Sequence, residues 1–395
     1  MSPMWWWILT VQTLSTAAAP SCATNRSSPF SPDAVRTKDA SPMIYRPLGR
    51  SGLRVSAISY GAWLTVSETG AVNLEKHVEI LRTAIRSGIN FIDNAEVYGA
   101  FPGESESIMG QALEHLFESG DVLRSDLVIS TKLFDGGNGV NDRGLSRKHL
   151  VEGMQGALQR MRLAYVDLVF CHRPDATTPM EETVRAMNHL IDRGWAFYWG
   201  TSEWSAEQIT RAHAVATQLG LQGPLMEQPL YNLFNRDRVE REYESLFGHY
   251  GLGLTVYSPL AEGILAGRYS NGVPADSRAA LVTRKTGLAK QERQITAADA
   301  LRPIAKANGC SLPQLALAWV LFNQHVSTAI IGASRPSQIE DNVGAIACLS
   351  RISAGTMQKI EEAVSQAGAA ADISYDISAT MAEKKLSLAG RTRYA

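Results

Sequence analysis

Four polar side chains of complementary acid–base chemistry stand at or just beyond the ends of short apolar runs. Asp93 closes INFID, Tyr98 follows five residues later, Lys132 follows LVIST, and His172 follows VDLVFC. A phenol gives up its proton poorly near neutral pH, but a neighbouring ammonium stabilises the phenolate that remains. The aspartate can hold that ammonium in place, and the histidine can donate a hydrogen bond to a carbonyl. Together they predict protonation of an alkoxide as hydride arrives from a nicotinamide.

These four residues can meet only if the apolar runs lie side by side. Eight such runs, rich in Val, Ile and Tyr, alternate with longer segments of helical period: AISYG (57–61), INFID (89–93), DLVIS (126–130), VDLVF (166–170), AFYWG (196–200), PLMEQ (224–228), LTVYS (254–258) and STAIIG (327–332). Amphipathic helices are predicted over 74–88, with Gly88 ending the first, and over 146–163, with Ser146 as the cap of the second. Strands that are apolar on both faces indicate a parallel sheet covered by helices.

Eight alternating units predict an α/β fold, namely a single-domain (β/α)8 TIM barrel, rather than an open sheet. No Gly-rich phosphate motif follows the first strand, which weakens a Rossmann interpretation. In such a barrel the active site lies at the carboxyl ends of the strands. Further polar residues stand there, namely Ser202, Gln228, Ser258 and Ser334. A barrel aldolase that uses Lys132 for a Schiff base is an alternative, but it would need a neutral, desolvated amine, which Asp93 and Tyr98 make unfavourable.

Composition excludes several classes of protein. The 395 residues are 45% hydrophobic and 19% charged, and 38 basic residues against 39 acidic ones give a net charge of −1. This balance argues against nucleic-acid binding by bulk charge, and no apolar run is long enough to cross a membrane. The four cysteines, Cys22, Cys171, Cys310 and Cys348, are too few and too scattered for a disulfide scaffold. No CxxC pair suggests zinc, and we predict no metal site.

The two ends of the chain differ from its centre. Residues 1–43 combine the apolar WWWILTV with a small, polar, Ser- and Pro-rich run, and we expect a disordered or targeting-like extension. No Lys or Arg precedes Trp5, unlike a secretory signal, so we expect a cytoplasmic protein. The barrel is predicted to span residues 44–366. Residues 367–395 lack a sustained pattern and are expected to form a tail.

Several dispersed motifs resemble the aldo-keto reductase superfamily. They are GINFIDNAEVYG, the Lys after LVIST, VDLVFCHRPD, WGTSEW, YSPLAEGILAGRY and IIGASRPSQIEDN. GLSRKHLVEGM and PMEETVRAM bring the likeness closest to the branch that contains the β-subunits of voltage-gated potassium channels. The resemblance covers roughly residues 44 to 366, nearly everything but the tails.

The resemblance implies a catalytic tetrad of Asp93, Tyr98, Lys132 and His172, with Tyr98 as the general acid. It also implies an NADPH site. Ser202 and Gln228 would hold the nicotinamide amide, Tyr257 would stack on its ring, and Ala62 and Trp63 would lie near the ribose and substrate. The loop implied to cross the pyrophosphate contains Ser258, Pro259, Leu260, Ala261 and Gly263, and the implied cofactor clamp contains Arg268 and Arg278. The residues implied at the adenosine end are Gly332, Ser334, Gln338, Asp341 and Asn342, and Asp93 is also implied to contact the cofactor.

The basic segment Gly267–Arg293 carries Arg268, Arg278, Arg284, Lys285, Lys290 and Arg293 against Asp276 and Glu292. Such a loop suits a pyrophosphate and a 2′-phosphate, so charge and resemblance both favour NADPH over NADH. The chain also departs from the channel β-subunits, which carry Asn in place of His172, Trp in place of Tyr257, Cys in place of Glu262, and Glu in place of Asp341. His172 restores the tetrad of ordinary carbonyl reductases, which argues for a working enzyme.

Two functions follow from the residues and the resemblance. The first is an NADPH-dependent oxidoreductase that reduces aldehyde or ketone carbonyls of small molecules to alcohols. The second is a regulatory protein like the channel β-subunits, tetrameric and using NADPH as a redox sensor. Loops after the strands suggest an apolar pocket walled by Trp63, Phe134, Trp204 and Tyr231, with 138–143 as part of a lid.

Overall fold

The fold is known from a computed structural model that describes residues 43–64, 73–270 and 292–369. The predicted N-terminal extension up to residue 42 lies outside the described residues. So do residues 370–395 of the predicted tail and most of the basic segment, including Arg278, Arg284, Lys285 and Lys290.

Eight parallel strands close into a barrel in which each strand pairs with the next along the chain and the last pairs with the first. Each of the eight predicted apolar runs contains or overlaps one of these strands, so the (β/α)8 TIM barrel prediction is confirmed. The strands are β3 (Ile58–Gly61), β4 (Phe91–Asp93), β5 (Val128–Leu133), β6 (Leu168–Cys171), β7 (Tyr198–Ser202), β8 (Met226–Gln228), β9 (Gly253–Val256) and β10 (Val326–Ile331).

Helices surround the barrel and cover its outer face. They are α1 (Leu74–Arg86), α2 (Glu104–Glu118), α3 (Arg147–Met161), α4 (Met180–Asp192), α5 (Ala206–Leu219), α6 (Glu244–Tyr250), α7 (Glu292–Ala307), α8 (Leu312–Phe322), α9 (Pro336–Val343), α10 (Ala345–Leu349) and α11 (Ala354–Gln366). Both predicted helices form as expected. Ser146 caps α3 by accepting the backbone N–H of His149, and Gly88, in the left-handed region at φ 87°, follows the end of α1.

A two-stranded hairpin that the sequence did not predict precedes the barrel. Its strands are β1 (Tyr45–Pro47) and β2 (Arg54–Ser56), which pair antiparallel. Leu48 and Val55 from the hairpin are fully buried in one cluster with five barrel residues, namely Phe91, Val128, Leu168, Phe170 and Met226. The hairpin therefore closes the amino end of the barrel, where Arg50 also donates its backbone N–H to the carbonyl of Gly251.

Side chains alternate along each strand, and this alternation decides which residues reach the barrel interior. On β5, Val128 belongs to the interior cluster, whereas Ile129 and Leu133 belong to the core between strands and helices. Ser130 and Lys132 share the inward face of Val128, because successive strand residues point to opposite faces. The half of the barrel interior at the carboxyl ends of the strands is therefore polar.

The cysteines behave in two ways. Cys310 and Cys348 form a disulfide with their Cα atoms 6.0 Å apart, a pairing that the sequence analysis did not predict. Cys171 is a free, fully buried residue at the end of β6, and burial raises the pKa of its thiol well above the usual value. Its predicted character as a small core residue is therefore confirmed, since a buried thiol is a poor nucleophile.

Over the described ranges 43–64, 73–270 and 292–369, we find no helix that is both long enough and apolar enough to cross a membrane.

Candidate active site

Lys132 lies at the centre of the polar carboxyl end of the barrel. Its Nζ donates to Asp93 Oδ2 at 2.5 Å, to the carbonyl of Asn94 at 2.7 Å and to Tyr98 Oη at 3.2 Å. The lysine is fully buried and Asp93 is 2% exposed. A buried charge pair is tolerated only when its remaining donors and acceptors are satisfied, and all three ammonium hydrogens have an oxygen here. The lysine is thus fixed against the phenol oxygen.

The neighbouring strands complete the hydrogen bonding of Asp93. Its Oδ1 accepts a hydrogen bond from Ser130 Oγ at 2.6 Å and one from Gln228 Nε2 at 3.3 Å. Gln228 also donates to Thr255 Oγ1 at 3.4 Å. Strand β8 is thereby connected through one side chain to β4 and β9, which brings a predicted cofactor residue into the same network as the predicted tetrad.

Two rings flank the phenol of Tyr98 at the mouth of the barrel. The ring centroids of Tyr98 and His172 are 5.7 Å apart, edge to face, and those of Tyr98 and Trp63 are 5.9 Å apart and stacked. His172 is buried at 7% exposure, whereas Trp63 is 41% exposed. All four residues of the predicted tetrad are therefore brought together, with the phenol at the boundary between the interior and the mouth.

Ser202 ends β7 beside Gln228. Its hydroxyl donates to the carbonyl of Gln228 at 2.9 Å, and it accepts a hydrogen bond from Arg173 Nη1 at 3.2 Å. Arg173 follows His172 directly and donates to its carbonyl at 2.5 Å. The loop after β6 is thus tied to the end of β7, between the predicted tetrad and the predicted amide-binding residues.

Backbone strain concentrates in the loops after β7 and β9. Within the described part of the chain, five residues other than glycine have a positive φ, and four of them lie there: Glu203 (60°), Ser258 (48°), Ala261 (47°) and Glu262 (55°). Such conformations cost about 1–3 kcal/mol each and cluster at ligand sites. The segment from Ser258 to Gly263, where the resemblance implies pyrophosphate contacts, therefore follows a strained backbone path.

That path is supported by side chains around it. Asn232 Nδ2 donates to the carbonyl of Ser258 at 3.0 Å, and Tyr269 Oη donates to the carbonyl of Glu262 at 2.9 Å. Within the loop, Pro259 and Ala261 are buried, while Tyr257, Leu260, Gly263 and Arg268 are half-buried. The loop therefore continues the mouth of the barrel beyond β9.

The residues implied at the adenosine end follow β10. Ser334 donates its backbone N–H to Gln338 Oε1 at 2.7 Å, just before α9. Gly332, Ser334 and Asp341 are exposed, Gln338 is half-buried, and Asn342 is 5% exposed. Asp341 accepts hydrogen bonds from Ser311 Oγ at 3.3 Å and from Gln314 Nε2 at 2.9 Å, which hold its carboxylate against α8.

Ala62, which the resemblance implies near the ribose and substrate, is only 3% exposed. It begins the turn Ala62–Leu64 after β3.

Several contributors to this network are absent from the residues predicted from the sequence. Ser130 could have been found, because it lies two residues before Lys132 on the same face of the strand. Asn94 acts through its backbone carbonyl, which no side-chain pattern reveals. The prediction that Trp204 and Tyr231 wall the pocket is wrong, because they are 1% and 2% exposed and belong to the core behind the sheet.

A second buried acid lies behind the site. Glu227, on β8 next to Gln228, is fully buried, accepts a hydrogen bond from Thr201 Oγ1 and receives the backbone N–H of Trp204 at 3.3 Å. Burial raises the pKa of its carboxyl to about 8, and the nearby Glu203 carboxylate adds to that shift. Glu227, on the outer face of β8, is therefore expected to keep its proton at neutral pH.

Comparison with known proteins agrees with this geometry. The profile of the Aldo/keto reductase family matches residues 57–365. A protein of Oryza sativa subsp. japonica named "Probable voltage-gated potassium channel subunit beta" is 52% identical over 326 residues, which cover 82% of this chain and 97% of that protein. A protein of Arabidopsis thaliana with the same name is 49% identical over 326 residues, with the same two coverages.

The chain therefore belongs to the aldo/keto reductase family, as its motifs predicted. This membership supports an oxidoreductase with a small-molecule substrate, and NAD(P)H is the cofactor typical of the family. The likeness to proteins named as channel β-subunits was also predicted, and it is confirmed at 52% and 49% sequence identity.

Proposed function

We propose that this protein reduces aldehyde or ketone carbonyls of small molecules to alcohols with NADPH, and that Tyr98 supplies the proton. One observation carries the proposal. Lys132 Nζ lies 3.2 Å from Tyr98 Oη and 2.5 Å from Asp93 Oδ2, so a buried ammonium bridges a phenol and a carboxylate. Such an arrangement stabilises negative charge on the phenol oxygen, as proton donation requires.

Each member of the tetrad has its own part in this chemistry. Tyr98 Oη donates its proton to the carbonyl oxygen of the substrate, where negative charge develops as the C=O bond is reduced. Lys132 stabilises the resulting phenolate, and Asp93 holds the ammonium in place through its hydrogen bond with Nζ. His172 lies edge-on to the phenol and is placed to donate a hydrogen bond that orients the substrate carbonyl.

The residues beyond the tetrad fit a dinucleotide. Ser202 and Gln228 offer a hydroxyl and a carboxamide for the nicotinamide amide, and the strained loop Ser258–Gly263 offers backbone groups for the pyrophosphate. The turn from Ser334 into α9 offers N–H groups at a helix N-terminus for a phosphate. When bound, NADPH supplies the hydride that reduces the substrate carbon.

The choice of NADPH rests on charge. Arg268 follows the strained loop, and it begins the basic segment that ends with Arg293 on α7. Guanidinium groups bind phosphate through paired hydrogen bonds, so this segment suits the extra 2′-phosphate. We expect NADPH to bind at least about tenfold more tightly than NADH, a difference of about 1.4 kcal/mol in binding free energy.

The substrate is expected to be apolar near its carbonyl group. Trp63, 41% exposed, stacks on Tyr98, and Phe101, 61% exposed, lies in the loop that follows Tyr98. Aromatic side chains left exposed next to convergent polar groups are typical of a ligand site.

The test is a fluorescence titration of the full chain with NADPH, followed by turnover of a panel of aldehydes and ketones. Tyr98→Phe is the matched control, because it removes only the phenol oxygen. We expect this variant to bind NADPH within about twofold of the parent and to lose kcat by about 100- to 10,000-fold. Equal turnover by the parent and Tyr98→Phe would rule out the phenol as proton donor.

The names of the relatives support a second candidate, a channel-associated regulatory subunit that binds NADPH as a redox sensor. This function predicts a fourfold oligomer by light scattering and co-purification with a membrane channel, without turnover of the carbonyl panel. His172 favours the enzyme, because the resemblance places Asn at this position in the channel subunits. The two functions are thus distinguished by turnover and by mass.

A further inference from the structure

Glu96 is a buried acid that the tetrad chemistry does not use. It lies between Asp93 and Tyr98 in the loop after β4 and is 1% exposed. Its carboxylate contacts residues behind the sheet: Oε1 accepts the backbone N–H of Phe134 at 2.5 Å and a hydrogen bond with His149 Nε2 at 3.0 Å. A buried carboxylate without hydrogen-bond partners would cost folding free energy, but here Oε1 of Glu96 has two partners.

The backbone of Glu96 is held on both sides as well. Its N–H donates to the carbonyl of Lys132 at 3.1 Å, and its carbonyl accepts the N–H of Gly103 at 2.5 Å. One residue thus connects the loop that carries Tyr98 to the end of β5, both at Lys132 and two residues further on at Phe134. These are the segments that hold the phenol and the ammonium.

The space for the carboxylate is provided by two glycines. A Cβ atom at Gly136 would lie 2.9 Å from Glu96 Oε2, and one at Gly153 would lie 3.1 Å from it. A side chain at Gly136 would therefore force the acid to shift, and one at Gly153 would press against it. His149 is itself fixed at the first turn of α3, where the Ser146 cap accepts its N–H.

We propose that Glu96, held by His149 and the backbone of Phe134, is a positioning residue that sets the placement of Tyr98 Oη against Lys132 Nζ. This inference rests on the proposed function, because the placement matters only if the phenol donates a proton. The same contact fixes the start of the loop 134–144, which contains the segment predicted as a lid. Glu96 acts through the loop and reaches neither substrate nor cofactor.

The experiment compares three variants of the full chain. Glu96→Ala removes the carboxylate, while Glu96→Gln keeps an oxygen that can accept from both Phe134 and His149. Asp167→Ala is the matched control. Asp167 is also a buried acid that accepts a backbone N–H of β5, that of Ile129 at 2.8 Å, but it lies at the other end of the strand.

The measurements are kcat and KM for a reactive aldehyde, NADPH affinity by fluorescence, thermal midpoint, and amide hydrogen exchange over residues 95–103. Misplacement of a reacting group by about 1 Å costs about 100-fold in rate, so we expect Glu96→Ala to lower kcat by about 10- to 100-fold. NADPH affinity and KM should change by less than about threefold, and Glu96→Gln should recover most of kcat. Exchange over 95–103 should accelerate in Glu96→Ala only.

Two results would overturn the inference. One is an unchanged kcat in Glu96→Ala. The other is an equal loss of kcat in Asp167→Ala at a similar thermal midpoint, which would mean that any destabilisation has this effect. Failure of the proposed function looks different, because the parent protein itself would then turn over none of the panel. In that event an unchanged exchange rate over 95–103 in Glu96→Ala would still reject Glu96 as the residue that holds the loop.

Discussion

The two ends of the barrel interior are built from the same strands but hold opposite kinds of side chain. On β4 the inward residues run from Phe91 to Asp93, and on β5 from Val128 to Lys132. The amino end is filled by apolar side chains and closed by the hairpin, whereas the carboxyl end holds a buried ion pair. Burial of each apolar side chain contributes about 1.5–3 kcal/mol. The amino end can therefore stabilise a barrel whose other end carries costly charges.

An ion pair also lies near each end of the barrel, outside the interior at the amino end and inside it at the carboxyl end. The two pairs differ in what else the cation contacts. At the amino end Arg124 binds Asp167 at 2.7 Å and also donates to the backbone carbonyls of Leu127 and Tyr165. At the carboxyl end Lys132 contacts Asp93 and the phenol of Tyr98. The first pair joins segments of backbone, whereas the second contacts the phenol that we propose as proton donor.

The sharpest way to break this comparison is Lys132→Met, which leaves Asp93 buried without its cation. Removing one partner of a buried pair costs about 3–5 kcal/mol of unfolding free energy. We expect a loss of that size in urea unfolding, together with a loss of carbonyl reduction of about 100-fold or more. The double variant Asp93→Asn/Lys132→Met should recover most of the stability and none of the activity. If Lys132→Met alone were as stable as the parent, the claim that buried Asp93 needs its cation would be contradicted.

The apolar end should respond in the opposite way. Leu168→Ala removes a fully buried side chain from the interior cluster, and such substitutions cost about 2–5 kcal/mol. Because the cluster lies away from the tetrad, we expect kcat per folded molecule to stay within about twofold of the parent. Urea unfolding and active-site titration with NADPH measure the two quantities. A large fall in kcat at unchanged NADPH affinity would mean that the two ends are coupled.

The repeating part of this architecture could be predicted from the sequence. Eight apolar runs and two amphipathic segments led to the barrel, because strand and helix periodicity are local properties. Asp93, Lys132 and His172 followed from the rule that barrel strands present functional residues at their carboxyl ends. Tyr98 does not follow from that rule, because it lies in a loop five residues past Asp93, and it was predicted from its acid–base chemistry beside the other three.

Features that depend on distant contacts could not be predicted. The hairpin before β3 has short strands, and only its burial of Leu48 and Val55 under the barrel gives it a role. Glu96 looks like any surface acid in the sequence, because the glycines that make room for it lie 40 and 57 positions further along the chain. The disulfide joins Cys310 to Cys348, and no spacing rule selects that pair among four cysteines.

A smaller effect is expected from Glu227, behind the carboxyl end. Its pKa is raised to about 8 by burial, against 4.5 for an ordinary glutamate, so the folded protein keeps a proton that the unfolded chain loses above about pH 4.5. Stability from this group should therefore fall as the pH rises from about 5 to 8. Glu227→Gln cannot titrate, and the difference in unfolding free energy between parent and variant should change across this window. A constant difference would show that Glu227 is ionised in the folded protein.

The smallest effect is expected from His213, near the amino end, and its sign is opposite. The imidazole stacks on Tyr250 with centroids 3.9 Å apart, and burial, with the charge of Arg50, lowers its pKa to about 4 from 6.5. Between these values the unfolded chain binds a proton that the folded protein does not, so stability should fall as the pH drops from 6.5 to 4. His213→Gln loses the stacking at every pH but cannot titrate, so its unfolding free energy should depend less on pH in this window. Parallel pH profiles for parent and variant would mean that the imidazole is protonated alike in both states.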